Sequence, residues 1–368
     1  MNHNLADIAP HFRLDGRYLE AHPYGYGHIN DTYAVYVYRN GEVRRYILQR
    51  INDYVFKEPE ALMENIVRVT HHLREKIQRS GGDVERETLN VVPTTTGETF
   101  YRSPDGAYWR AYLFIEGAQT YQNVVDMTHV YNAAKAFGRF QAALSDFPTE
   151  ELHEVIPDFH HTRKRFETFV KALDEDRVNR AHVVREEITF IEARAEETSV
   201  LVDLRAQREL PRRVTHNDTK FNNVMIDNET GKGICVIDLD TVMPGLALYD
   251  FGDAVRSATN AGAEDERDLS KVYVDLDVYE HLTRGYLDAA CEFLTPTEIE
   301  YLPFAAKLMT FENAIRFLTD YLQGDVYYKI HREHQNLDRC RAHLQLVRDM
   351  EAHFEELQAV VRRYAGIP

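Results

Sequence analysis

At 368 residues the chain is too long for one small core, so two lobes are the default. A hydrophobic content of 44% supports sizeable cores and excludes a disordered chain. The formal net charge of -17, from 60 acidic and 43 basic residues, sets the surface against nucleic acid and anionic lipid as main partners.

Cys235, Cys291 and Cys340 are odd in number and show no CxxC spacing, which argues against a disulfide framework or a zinc site and for a reducing cytoplasmic setting. The first residues include Asp7, His11 and Arg13 and no apolar signal core. No stretch reaches the roughly 18 apolar residues of a membrane span, so no membrane partner is expected. The adjacent pairs His71-His72 and His160-His161 read as solvated faces rather than metal ligands.

In chain order, Thr32 to Tyr38 and Arg44 to Arg50 read as two strands joined by an Asn40-Gly41 turn. Pro59 then opens a helix whose apolar face is Leu62, Ile66, Val69 and Leu73. Further strands are expected near Glu98 to Arg102 and Ala107 to Ile115, and this β, β, α, β, β lobe ends near Glu116-Gly117. The remainder, 118–368, is mainly helical. Val124 to Leu144 is one helix, residues 160–206 form a helical pair, and Phe304 to Leu322 carries a clean apolar stripe. A last helix runs from Leu337 to Tyr364, with Asn336 as its cap. Only Val214 to Asp253 breaks into short apolar runs and polar loops.

That broken segment carries the chemistry. It contains His216-x-Asp218-x-x-x-x-Asn223 and, after two short apolar runs, Val236-Ile-Asp238-Leu-Asp240. Phosphoryl transfer needs a carboxylate to orient the attacking hydroxyl and accept its proton. It also needs oxygen ligands for a metal on the phosphates, and short loops that hold both together. Asp218 can supply the first; Asn223 and Asp238 can supply the second. A lone His-x-Asp means little, because Asp and Asn in loops commonly make turns. The combined pattern with flanking apolar strands and an upstream glycine loop is far rarer.

These strings resemble the catalytic and metal-binding loops of aminoglycoside and choline kinases. Thr215 to Asn223, Ile237 to Gly245, Tyr249 to Asp253, Tyr24 to Asn30, Asp268 to Val272 and Arg316 to Asp325 are more closely similar to the N-acetylhexosamine 1-kinases. The resemblance implies an α+β, bilobal protein-kinase-like fold, ATP with Mg²⁺, and transfer to the anomeric hydroxyl of a hexosamine. It implies Asp218 as base, Asn223 and Asp238 as magnesium ligands, His216 as a brace of the catalytic loop, and Asp250 as its tie to neighbouring elements. Asp240 is either a contact to a second metal or a turn-stabilising residue. Gly25 and Gly27 would bring backbone N–H groups to the phosphates, and backbone groups from Phe114 to Glu116 would meet adenine. His28, Arg316 and Tyr327, with Asp218, are the expected sugar contacts. For Arg316 an i,i+4 pair with Glu312 is an equal reading.

One departure stands out. The lysine expected on the third kinase strand is missing, and Tyr46-Ile-Leu-Gln49 lies in its place. If Gln49 takes that position, Ile47 faces adenine and Arg50 points away. If the register shifts by one, Arg50 becomes the cation, with Glu64 as a candidate partner. A same-fold kinase with another acceptor (aminoglycoside, homoserine or choline) and a catalytically dead nucleotide-binding module are the alternatives.

Overall fold

The N-terminal third is an antiparallel sheet with one helix packed across it. The computed structural model describes residues 4–25, 29–122 and 126–367. A short helix α1 (Leu5–Ile8) precedes strands β1 (Arg17–Pro23), β2 (Asp31–Arg39), β3 (Glu42–Ile51), β4 (Val91–Val92), β5 (Tyr101–Arg102) and β6 (Tyr108–Leu113). Their order is β1-β2-β3-β6-β4, with β5 also on β6. The β2–β3 hairpin closes on Asn40 and Gly41, both at positive φ (51 and 95), as a tight two-residue turn requires. Helix α2 (Pro59–Arg79) starts on proline and buries Leu62, Ile66, Val69 and Leu73. Strands β1 and β4 were not anticipated. β1 is a mostly exposed edge strand without apolar alternation, and β4 is two residues long.

The rest is helical around two small sheets. β7 (Ala118–Gln119) pairs with β9 (Val224–Asp227), which pairs with β10 (Gly233–Val236); β8 (Arg213–Thr215) pairs with β11 (Met243–Gly245). Helix α3 (Met127–Ala143) is capped by the Asp126 side chain on the His129 N–H. It is followed by α4 (Thr162–Glu175), α5 (Arg185–Glu192) and α6 (Val200–Ala206). Then come α7 (Ala247–Ala258), α8 (Leu276–Ala290), α9 (Pro296–Gln323), α10 (Gln335–Ala352) and α11 (Phe354–Ala365). α9 begins with a Thr295–Glu298 capping box, ends on left-handed Gly324, and is buried over most of its length.

The expected helical pair at 160–206 is three short helices, and the expected last helix is two. The break falls at His353, where Glu355 and Glu356 favour a fresh N-terminus. Asn336 does not cap α10. It is buried, and its Nδ2 donates to Asp320 (2.8 Å) and Asp325 (2.9 Å), while His334 at φ 61 precedes the helix.

One core lies among α7 to α10, with Phe251, Leu308, Phe311 and Leu318 at its centre. A second joins the two parts of the chain: Ile51, Leu62 and Ile66 pack with Phe137, Phe140, Val214 and Val224. Among the described residues, no helix is long and apolar enough to cross a membrane. All three cysteines are free.

Candidate active site

β8 ends at Thr215 and the chain turns at once. Asn217 takes a left-handed conformation (φ 65), which asparagine tolerates better than most residues. Asp250, buried in the first turn of α7, accepts from the N–H groups of His216 (2.9 Å) and Asn217 (2.7 Å) and from Gln141 on α3 (2.6 Å). Burial pushes the Asp250 carboxyl above its ordinary range, opposed by His216 and these donors. His216 donates from Nε2 to the Ile237 carbonyl (2.8 Å) and accepts the Asp218 N–H on Nδ1 (3.2 Å). It therefore ties the turn to the second loop and is not among the residues that line the cleft described next. Thr219 N–H is held by Asp253 (2.9 Å).

Asp218 projects from this turn into a cleft of about 630 Å³. Its carboxylate faces Lys220 Nζ at 3.0 Å and Asn223 Nδ2 at 3.4 Å. Asn223 Nδ2 also donates to the Asp218 carbonyl (2.8 Å), which leaves Oδ1 as the free end of the amide. The Asp218 charge holds the Lys220 ammonium above the ordinary lysine range.

The β9–β10 hairpin sets the second loop beside the first. Its base is closed by the Ile237 N–H on the Asn223 carbonyl (2.9 Å). Asp238 follows at φ 60. Its carboxylate is exposed to the cleft, and the crowding of the cleft walls, then the neighbouring Asp240 and Asp218 carboxylates, push it above the ordinary carboxylate range. Such uncompensated negative potential is what a bound cation relieves. Among the described residues no group of three or more His, Cys, Asp or Glu is arranged to hold a metal. Asn223 and Asp238 instead offer two oxygen donors. That suits a hard cation that completes its shell with phosphate oxygens and water.

The opposite wall belongs to the N-terminal sheet. Gly25 (φ 80), Ile47, Gln49 and Phe114 all line the cleft. Ile47 and Gln49 share one face of β3, whereas Arg50 turns to the other and pairs with Asp31 (3.1 Å). Arg50 is accordingly not among the residues that line the cleft. Glu64 is not its partner either; it meets His153 (2.8 Å) and Arg68 (3.4 Å). Gly27 and His28 lie outside the described residues.

Some expected residues stand elsewhere. Glu116 is not in the lining: its side chain pairs with Arg45, and its carbonyl accepts from Arg86 Nε (3.1 Å). Arg316 and Tyr327 also lie outside the lining. Arg316 sits over the Phe159 ring (5.2 Å) and beside Tyr328 (5.8 Å), and Tyr327 is 64% exposed. Glu312 is not a dedicated partner of Arg316, because it is buried against His160 (2.8 Å) and Thr162 (2.6 Å).

Sequence reasoning missed three groups. Arg110 of β6 is buried in the cleft wall. His160, read as solvated, is buried, and its Nε2 meets the Asn217 carbonyl at 3.1 Å. The far end of the cleft is lined by Arg256, Ser257, Asn260 and Glu264, together with His343. Each depends on contacts between segments far apart in sequence. Only the buried-helix pattern around Glu312 hinted at an internal partner for a histidine.

The sequence profile of the phosphotransferase enzyme family (APH) matches residues 20–286. Among solved structures, the chain resembles an aminoglycoside phosphotransferase from Alicyclobacillus acidocaldarius at 14% identity and a TM-score of 0.63, over 99% of this chain and 97% of that one. It also resembles a spectinomycin phosphotransferase solved with ADP and spectinomycin, at 14% identity and a TM-score of 0.59 over 96% and 98% of the two chains. A microcompartment-associated aminopropanol kinase is similar at 15% identity and a TM-score of 0.55 over 96% and 98%. At these identities the likeness is one of fold. The profile match spans most of the chain, from β1 into α8, and the chain belongs to the phosphotransferase enzyme family, with its kinase-like fold.

Proposed function

We propose that this phosphotransferase moves the γ-phosphate of ATP, with Mg²⁺, onto the anomeric hydroxyl of an N-acetylhexosamine. The observation that carries the reading is the meeting of Asp218, Asn223 and Asp238 in one cleft beneath the Gly25 end of the N-terminal sheet. Asp218 would orient the acceptor hydroxyl and take its proton. Lys220, 3.0 Å from that carboxylate, would stabilise negative charge on the transferred group. Asn223 Oδ1 and Asp238 would hold Mg²⁺, which when bound would neutralise charge on the phosphates. Ile47 and Phe114 offer apolar walls for adenine. With the Glu116 carbonyl taken by Arg86, its polar edge would meet the backbone of Phe114 and Ile115. The lobe boundary falls, in this reading, at Gly117.

A neutral sugar suits the far end of the cleft. Among the described residues Glu264 is the one acid there, and it lies 3.2 Å from Arg339 and 4.0 Å from Arg256. A polycationic acceptor would want clustered, unpaired acids. Arg316 and Tyr327 are proposed as outer contacts to the sugar, and His28 as a contact from the glycine loop. Thermal-shift measurements with ATP and Mg²⁺ against N-acetylglucosamine, N-acetylgalactosamine, an aminoglycoside, choline and homoserine test the acceptor class. Stabilisation and turnover with the two sugars is the expected outcome. Turnover only with a cationic acceptor would refute it.

A further inference from the structure

We propose that Arg110 is the cation that grips the nucleotide phosphates, reaching them from β6 in place of the absent lysine on β3, with Asp240 as its resting partner. The inference rests on the ATP-dependent reading above. Gln49 occupies the cleft-facing position on β3, but it is neutral and both ends of its amide are used. Nε2 donates to Thr32 Oγ1 (2.9 Å), and Oε1 accepts from Arg110 Nε (3.0 Å). Gln49 and Arg110 are direct cross-strand partners. The positive charge has therefore moved one strand over, and the residue at the old position has become its support.

The Arg110 side chain is only 1% exposed, yet it forms part of the cleft wall beside Asp238 and Asp240. An unpaired guanidinium could not be buried there at tolerable cost. Its Nη1 lies 2.5 Å from Asp240 Oδ1, and Asn30 Nδ2 donates to the other oxygen of the same carboxylate (2.5 Å). The Asn30 side chain is itself fixed by the Asn52 N–H (3.0 Å). Asp240 follows Asp238 by two residues, so the pair joins the N-terminal sheet to the metal-side loop. Arginine carries five donors in a fixed fork; here Nε donates to Gln49, while Nη1 is in close ionic contact with Asp240 without a well-formed hydrogen bond. That fork can hold Asp240 on one edge and present the other to a phosphate.

The other cations of the cleft stand on the catalytic-loop side: Lys220 faces Asp218, where the transferred group would sit, and Arg256 faces Asp253 (2.7 Å). Both belong to the acceptor side. Arg110 is the lining cation supplied by the sheet that carries Gly25, Ile47 and Gln49.

The test is calorimetric titration of wild type and Arg110→Met with ATP plus Mg²⁺ and, separately, with adenosine. Loss of a charge-assisted phosphate contact should weaken ATP about 10- to 100-fold while adenosine affinity stays unchanged. Arg50→Ala should leave both affinities as they were. Because Arg110→Met strands the Asp240 charge, the comparison is repeated as Arg110→Met/Asp240→Asn against Asp240→Asn. The same selective loss is expected in that background. If wild type prefers ATP over adenosine and the preference survives the loss of Arg110 in both backgrounds, the inference is overturned alone. If wild type shows no preference for ATP over adenosine, the nucleotide reading falls with it.

Discussion

Asp218 carries the chemistry in this account, and its replacement isolates that role. Asp218→Asn keeps the size of the side chain and the Asn223 contact to the backbone carbonyl, but it removes the proton acceptor. Turnover should fall by about 10²- to 10⁴-fold with the melting temperature and nucleotide affinity retained; steady-state rates beside a melting curve check this. Asp238→Asn should weaken ATP far more in the presence of Mg²⁺ than in its absence, because under the proposed function only the metal-bound form would use that carboxylate. Calorimetry in Mg²⁺ and in chelator separates the two, and equal losses would deny the metal role. These residues were legible because their spacing is local: a turn, a short hairpin and two apolar runs fix them within about one motif. Arg110 was not. Its meaning comes from standing opposite Gln49 across β3 and β6, and register between strands 61 residues apart leaves no mark in a single sequence. His160 was hidden in the same way, since Glu312 lies 152 residues away.

At the scale of elements, periodicity identified α2 and the buried stripe of α9, and the Asn40-Gly41 turn identified the β2–β3 hairpin. It could not identify β1, whose exposed edge needs no apolar alternation, nor the division of the C-terminal helix at His353. Close helix packing was equally silent. A Cβ on Gly138 of α3 would meet the Tyr286 carbonyl oxygen of α8 at 2.6 Å and Ala289 Cβ at 3.1 Å. Backbone cannot give way as a side chain can. Gly138→Ala should therefore destabilise by about 1–3 kcal/mol despite alanine's better helix propensity. Denaturant unfolding measures this, and an unchanged midpoint would show that the two helices tolerate a wider separation.

For the whole molecule, the two parts of the chain are joined by a shared apolar core and by polar ties between them. Asn65 on α2 donates to the Val242 carbonyl (3.0 Å), Arg86 pairs with Asp227 (2.7 Å), and Arg110 pairs with Asp240. Stability should also respond to acid through His343, which packs at the far end of the cleft. Burial, with Arg256 adding to it, lowers this imidazole to about 4, against Glu264. The folded value is depressed, so the protein is indifferent to this group above the unfolded value of about 6.5. Stability is lost as pH falls from there through about 4, by about 3 kcal/mol at most. His343→Asn, which cannot titrate, should show a shallower fall in melting temperature across that window; parallel curves would contradict the assignment.

The central claim is transfer to an anomeric oxygen, and the most direct measurement compares two altered sugars under ATP and Mg²⁺. Methyl N-acetylglucosaminide has no free anomeric hydroxyl to present to Asp218; 6-deoxy-N-acetylglucosamine lacks the exocyclic 6-hydroxyl but keeps the anomeric one. The account predicts an inert methyl glycoside and a reactive 6-deoxy sugar, with an acid-labile product whose anomeric proton couples to phosphorus. A reactive methyl glycoside with an inert 6-deoxy sugar would contradict it.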